Sequence, residues 1–384
     1  MTATPDGRTL ALGAAWIGVF RWTAQVVSWS AMLVVLRLLT PEDYGIASLA
    51  LAIVAIAGVL SEFGLGTAVV ALPELPDQVA RQLHGAACLL GLVVAATAAA
   101  VAPMVAGFYR EPLLGPVIQV LSLVFLAEGV RLVPQAMLSR RLAYRAIGAL
   151  DFLRAIATSL AVLLLAWMGK GYWALVLGNL LGAVVISLAV TVRFGLMPRW
   201  PRLAELRTPF TYAWHIFAGR GAWMLYRNSD TLIAGRILGS TILGYYTMAG
   251  SVASLPGEKL GNVLTAATAP FFAAIQSDRS ALRHYFLRVT EVLTLVLYPV
   301  LFGFMLVADL AVPLVLGEKW LPAVPVLRLL ILFAAIQAVT TPVSQVLNVT
   351  GNTRVGMQTG LLALVILPPA FVAGGVLWGM LGIA

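Results

Sequence analysis

The stretch Leu83-His-Gly-Ala-Ala-Cys-Leu-Leu-Gly-Leu-Val-Val-Ala-Ala-Thr-Ala-Ala-Ala-Val-Ala-Pro-Met-Val-Ala-Gly-Phe108 contains no Asp, Glu, Lys or Arg. It is longer than the roughly 20 apolar residues that carry a helix across the hydrocarbon core of a bilayer. It therefore reads as a transmembrane span, and the chain on either side repeats the pattern. Ten further apolar runs, bounded by Pro, Gly or charge, lie at 10–36, 44–72, 113–138, 147–168, 172–192, 210–238, 242–272, 285–307, 321–349 and 355–373. A polar, Pro-containing stretch at 193–209 separates the sixth run from the seventh. Run 10–36 contains Arg21 and Gln25 and is too long for the apolar core of a cleaved signal peptide, so it reads as a retained span.

Composition leads to the same class. Of 384 residues, 61% are hydrophobic and 11% charged, with a mean hydropathy of +0.95; soluble domains carry about 25% charged residues. A soluble globular protein is excluded for lack of polar surface. A net charge of +9 and a pI near 10.0 would suggest nucleic acid in a soluble protein, but in a membrane protein basic residues first report the side on which each loop lies. No nucleic-acid partner is expected. The single Cys88 leaves no disulfide framework, and His84, His215 and His284 are too far apart in sequence for metal-ligand spacing. Neither a metal nor another cofactor is implied.

Basic residues fix the expected orientation. The N-terminus and every second loop hold Arg8, Arg81, Arg140, Arg141, Arg145, Arg193, Arg199, Arg202, Arg207, Arg279, Arg283, Arg288 and Arg354, whereas the opposite loops hold Arg37, Arg110, Lys170, Arg236 and Lys319. The positive-inside rule then places the N-terminus and the 193–209 connection in the cytoplasm.

The two halves repeat. A shift of 199 residues lays Arg21 on Arg220, Arg37 on Arg236, Leu39 on Leu238 and Gly45 on Gly244. A shift of 209 aligns Pro116-Val-Ile-Gln-Val-Leu-Ser-Leu with Pro325-Val-Leu-Arg-Leu-Leu-Ile-Leu, Glu128 with Gln337 and Leu138 with Leu347. Six spans per repeat return the chain to its starting side, so the halves share one topology, the parallel-repeat arrangement of two-bundle transporters. The fold expected is an all-α polytopic membrane protein of two pseudo-symmetric six-helix bundles: 1–192, a cytoplasmic linker at 193–209, and 210–384. The second bundle shows five complete spans and the start of a sixth, which is expected of a chain truncated at its C-terminus.

Ionisable side chains at mid-membrane are costly and mark functional positions by default. Glu128 with Arg131, Asp151 with Arg154, and Arg227 with Asp230 are spaced i, i+3 on one helical face. Each pair either neutralises itself and locks packing or contributes to a polar pathway. Arg21 and Arg220 have no local carboxylate and lie about 15 Å into their spans at 1.5 Å per residue. Facing one another across a central cavity, two such guanidinium groups would bind a phosphate or pyrophosphate; the structural alternative pairs Arg21 with Glu62. The spacings Gly178/Gly182 and Gly356/Gly360 fit close helix packing. Trp16, Trp22, Trp167, Trp173 and Trp320 fit interfacial belts or cavity walls, and the sequon Asn348-Val-Thr falls at a cytoplasmic end. No phosphate loop, nucleophile elbow or zinc-binding helix is found, and the acids and bases are dispersed, so no catalytic residue is assigned and a non-enzyme is expected.

These residues carry a resemblance. Arg37-Leu-Leu-Thr-Pro-Glu-Asp-Tyr-Gly-Ile-Ala followed by Ser61-Glu-Phe-Gly-Leu-Gly, Asn228-Ser-Asp-Thr-Leu-Ile-Ala-Gly-Arg-Ile-Leu-Gly with Leu243-Gly-Tyr-Tyr, and Gly317-Glu-Lys-Trp-Leu-Pro-Ala-Val-Pro-Val-Leu resemble, in the same order, the polysaccharide biosynthesis flippases (Wzx-type) of the multidrug/oligosaccharidyl-lipid/polysaccharide exporter superfamily. The resemblance implies twelve to fourteen spans, the bacterial inner membrane, and alternating-access transfer of polyprenyl-pyrophosphate-linked oligosaccharide for lipopolysaccharide or exopolysaccharide synthesis. It further implies membrane lipids and other polysaccharide assembly proteins as partners. The cavity residues carried over are Arg21, Arg220, Arg227 and Asp230, with Glu62 and Glu128 behind them. A drug or cation antiporter of the same superfamily would instead present an acidic cavity, and a multispanning polymerase or ligase would show a large outward loop rich in Arg and His; the outward loops here are short.

Overall fold

The computed structural model describes residue 23 and residues 25–72, 75–276 and 278–384. Among them every regular element is helical, as expected where no water is available to satisfy backbone N–H and C=O groups. In chain order these are α1 (Gln25–Leu38), α2 (Pro41–Glu62), α3 (Leu65–Ala71), α4 (Asp77–Tyr109), α5 (Leu114–Arg140), α6 (Tyr144–Trp167), α7 (Tyr172–Phe194), α8 (Leu203–Leu238), α9 (Ser240–Ala274) and α10 (Arg279–Val315). A 3-10 turn (Glu318–Ala323), α11 (Val324–Val349), α12 (Thr353–Trp378) and the short α13 (Met380–Ile383) follow.

Eight of the expected runs, all but 10–36, 210–238 and 242–272, coincide with helices long and apolar enough to cross a membrane. Runs 210–238 and 242–272 form α8 and α9, of 36 and 35 residues, and most of run 10–36 lies outside the described residues. The outward surface is that of a lipid-solvated protein. On α10, Leu306, Leu310 and Leu314 follow one another at i+4 and are 79%, 74% and 76% exposed, a stripe that would be strongly unfavourable in water.

The sequence expectation needs two corrections. Run 44–72 is not one helix: Phe63 (φ 43) and Gly64 (φ 69) are both left-handed and split it into α2 and α3. Gly64 also permits a close approach, since a Cβ there would sit 2.6 Å from the Ala213 carbonyl oxygen. The connection at 193–209 is extended only as far as Arg202, because α8 begins at Leu203. Leu206, Phe210 and Ala213, at helical spacing, pack with Leu65, Val69, Leu83, Ala87 and Val133, which draws this stretch into helix. Upstream, the Arg199 N–H donates to the Arg81 carbonyl at 2.9 Å, and the Arg202 N–H to Gln82 Oε1 at 3.3 Å.

By contacts the chain divides into two compact units between Asn228 and Ser229, inside α8 and beyond the 193–209 connection. In the first unit α5 is central, touching α4, α2 and α7, and α6 pairs with α7. In the second unit α11 takes the corresponding place, touching α10 and α9. The contacts of α5 with α2 and α4 thus have counterparts in those of α11 with α9 and α10.

Small residues set the closest crossings. A Cβ on Gly91 would lie 2.5 Å from the Phe125 carbonyl oxygen and one on Gly129 2.7 Å from that of Ala87, so α4 and α5 touch backbone to backbone. At the α6–α7 crossing, Gly178 and Gly182 leave room for Val162 and Thr158, as their spacing suggests. Gly360 meets nothing within 4 Å, so close packing is not its role. Trp320 is fully buried with its ring edge-on to Tyr245, and it belongs to no interfacial belt; Trp167 is exposed and fits one. Gly129→Ala is expected to lower the thermal midpoint of the detergent-solubilised protein, with overpacking costing about 1–3 kcal/mol. Gly360→Ala should leave the midpoint unchanged or raise it, because a helix-interior glycine gives up roughly 0.5–1 kcal/mol relative to alanine.

Candidate functional site

Glu62 is the last residue of α2, immediately before the left-handed break at Phe63. That break turns the Phe63 ring onto α8, where it stacks on Phe217 with centroids 4.9 Å apart and also meets Phe210 and Trp214. Arg220 follows Phe217 by three residues on the same helix, so the aromatic contact brings the end of α2 beside the guanidinium. Glu62 Oε2 accepts from Arg220 Nη1 at 2.7 Å, with the arginine side chain 52% and the glutamate 33% exposed. Among the described residues the ion-pair partner of Glu62 is Arg220. Arg21, which the sequence sets as its equivalent, lies outside the described residues.

A second group joins α5 to α6. Arg131 donates Nε–H to Glu128 Oε2 at 2.8 Å, its Nη2 reaches the same oxygen and its Nη1 reaches Gln135 Oε1. Glu128 Oε1 in turn lies 3.4 Å from Arg154 Nη2 on α6. Glu128 and Arg131 are largely buried. The i, i+3 pair predicted for Glu128 and Arg131 is present, and Arg154 crosses to another helix, a contact that sequence spacing does not reveal.

On α8, the Arg227 guanidinium lies 5.3 Å from the centre of the Trp223 ring, one turn earlier. Asp230 accepts from the Tyr246 hydroxyl at 2.8 Å and from the Thr231 N–H at 2.6 Å. Tyr246, on α9, is a partner the sequence reading missed; the Leu243-Gly-Tyr-Tyr motif contains it. Also missed is the ion pair between Arg328 of α11 and Asp309 of α10. Its signal is the lone charge of Arg328 in run 321–349 and the lone charge of Asp309 in the last part of α10, after Glu291.

The units thus offer polar groups of different kinds. The Glu128 group is enclosed and satisfied by its neighbours. The Arg220–Glu62 pair is open enough for the guanidinium to take a further acceptor, the property needed to bind a phosphate.

Residues 34–325 match the family model of polysaccharide biosynthesis proteins. The chain belongs to this family. Among curated relatives, the lipopolysaccharide biosynthesis protein WzxC of Escherichia coli (strain K12) is 28% identical over 380 residues, covering 97% of this chain and 76% of the relative. Among solved structures, the lipid II flippase MurJ in an inward closed conformation superposes with a TM-score of 0.75 at 12% identity, covering 96% of this chain and 83% of that one. An inward-facing multidrug resistance MATE family transporter gives 0.72 at 14% identity, with 94% and 89% covered. This member of the polysaccharide biosynthesis family therefore has the helical fold shared by MurJ and the MATE transporters and is a multi-pass membrane protein.

Within that fold the Glu128 group is expected to hold α5 against α6. Glu128→Ala should destabilise the protein by about 3–5 kcal/mol, the usual cost of leaving buried charge without its partner. The double variant Glu128→Leu with Arg131→Met should recover most of that loss, as read by thermal unfolding in detergent.

Proposed function

We propose that the protein moves polyprenyl-pyrophosphate-linked oligosaccharide from the cytoplasmic to the outer leaflet of the bacterial inner membrane, for surface polysaccharide synthesis, with its N-terminus in the cytoplasm. The observation that carries this reading is membership of the polysaccharide biosynthesis family over residues 34–325, joined to a flippase-like fold and an accessible arginine, Arg220, on α8.

In the proposed mechanism the polyprenyl tail stays in lipid while the pyrophosphate and sugars enter the protein. Arg21 and Arg220 neutralise the phosphates through paired N–H donors, which a planar guanidinium supplies better than an ammonium. Glu62 orients Arg220 before substrate arrives. Arg227 and Asp230 supply polar contacts to the head group, with Glu128 behind them. Alternating access of the two halves then exposes the head group on the other side. Arginine keeps its proton at any physiological pH, so coupling to a proton or sodium gradient would pass through a carboxylate such as Asp230 or Glu62.

In proteoliposomes containing a lipid-linked oligosaccharide, Arg21→Ala with Arg220→Ala is expected to lower the initial flipping rate at least tenfold (about 1.4 kcal/mol); an unchanged rate would remove the pyrophosphate role. Glu62→Gln, which keeps shape and removes the competing charge, should let inorganic pyrophosphate inhibit flipping at several-fold lower concentration. Efflux of cationic drugs by the same vesicles, without transfer of oligosaccharide lipid, would assign the chain to the antiporter reading.

A further inference from the structure

At the end of the first unit that the positive-inside rule assigns to the cytoplasm, α5 turns into α6 through Arg141-Leu142-Ala143. The Ala143 N–H donates to the Leu138 carbonyl and the Leu142 N–H to that of Ser139, both at 3.0 Å. This helix ending normally places glycine at the left-handed position. Here the position is held by Leu142, with φ 53, a conformation that side chains beyond glycine adopt only at a cost. The strain is not offset by burial, since Leu142 is 64% exposed, and Tyr144 beside it is exposed as well.

Because α6 and α7 form a hairpin, the end of α7 returns to this same corner. Ala143, Ala146 and Ile147 from the turn and Phe194 from α7 pack on one cluster of Leu138, Leu150, Ile186 and Val190. On α7 itself, the Arg193 guanidinium lies 5.5 Å from the centre of the Phe194 ring. Three exposed arginines, Arg141, Arg145 and Arg193, therefore belong to the same corner as the exposed side chains of Leu142 and Tyr144. None of the three is ion-paired with a described carboxylate. The neighbouring Arg140 differs, since its Nη1 donates to the Val69 carbonyl at 3.0 Å and to that of Leu72, at the end of α3, and so serves the fold.

We propose that this corner binds an anionic phospholipid of the cytoplasmic leaflet. Leu142 and Tyr144 enter the boundary between head groups and acyl chains, and Arg141, Arg145 and Arg193 hold lipid phosphates by charge-assisted hydrogen bonds. The apolar side chains are what select lipid over a free anion, because a soluble phosphate would require only the arginines. A leucine kept where glycine would be less strained is explained by the apolar surface it presents to the membrane. None of the residues of this corner is among those proposed to contact the transported head group, so its binding can be lost while transport survives, and the reverse.

The test is native mass spectrometry of the full chain, released from mixed micelles of phosphatidylglycerol and phosphatidylethanolamine. The wild type should retain phosphatidylglycerol in preference. The triple variant Arg141→Ala, Arg145→Ala, Arg193→Ala should lose retention by about fivefold per residue removed, on the order of a hundredfold in all. Leu142→Gly should raise the thermal midpoint, by relieving the left-handed leucine, yet lower phosphatidylglycerol retention several-fold, a combination that a purely structural residue would not show. Equal retention of the two lipids by the wild type, or undiminished retention of phosphatidylglycerol by the triple variant, would overturn the proposal. So would displacement of the lipid by millimolar inorganic phosphate, which would assign the arginines to a soluble anion.

Discussion

The structure depends on one constraint, that inside a bilayer no water satisfies a backbone N–H or C=O. The chain meets it with helices, and at several helix ends a side chain supplies a fixed polar partner. Thr40 and Asp43 cap the start of α2 reciprocally, and the other carboxylate oxygen of Asp43 accepts the Tyr172 N–H at 3.0 Å, so a single side chain secures the starts of α2 and α7. Asp278 accepts two N–H groups at the start of α10. Arg140 serves the end of α3. These caps sit at helix ends, where the chain turns back and its orphan groups would otherwise be bare.

The same constraint sorts the charged residues. A buried charge without a partner is unfavourable by several kcal/mol, and Glu128, Arg131 and Arg154 avoid this by sharing one group across α5 and α6. Arg328 and Asp309 do the same between α11 and α10. Arg220 is paired too, but more than half exposed, which leaves its guanidinium open to another acceptor. Arg141, Arg145 and Arg193 are exposed and stand outside such pairs with the described carboxylates. Among the described residues arginine therefore caps carbonyls, closes internal pairs, or stays exposed.

Much of the fold was legible because a membrane span is a long-range property of composition: twenty apolar residues in succession allow few other readings. The family motifs were legible for the same reason that they occur at helix ends, where residue type is dictated by caps and turns. The break at Phe63–Gly64 was not, because an apolar run hides a change of direction unless the glycine is read together with the Ala213 carbonyl it approaches. Nor was the start of α8, since Leu203 to Pro209 looks like a polar loop until Leu206 is seen packed against α3 and α4. Within the candidate site, the i, i+3 spacing of Glu128 and Arg131 sufficed to pair them. The contacts of Arg154 to Glu128, Arg220 to Glu62 and Tyr246 to Asp230 join separate helices, and no local spacing encodes them.

A helical, multi-pass membrane protein can be read from the sequence alone, because that class follows from counting apolar residues along the chain. Only packing sets which carboxylate Arg154, Arg220 and Arg328 meet, where a span is broken, and that Leu142 is exposed. Those outcomes depend on the distance between atoms far apart in sequence, which only packing sets.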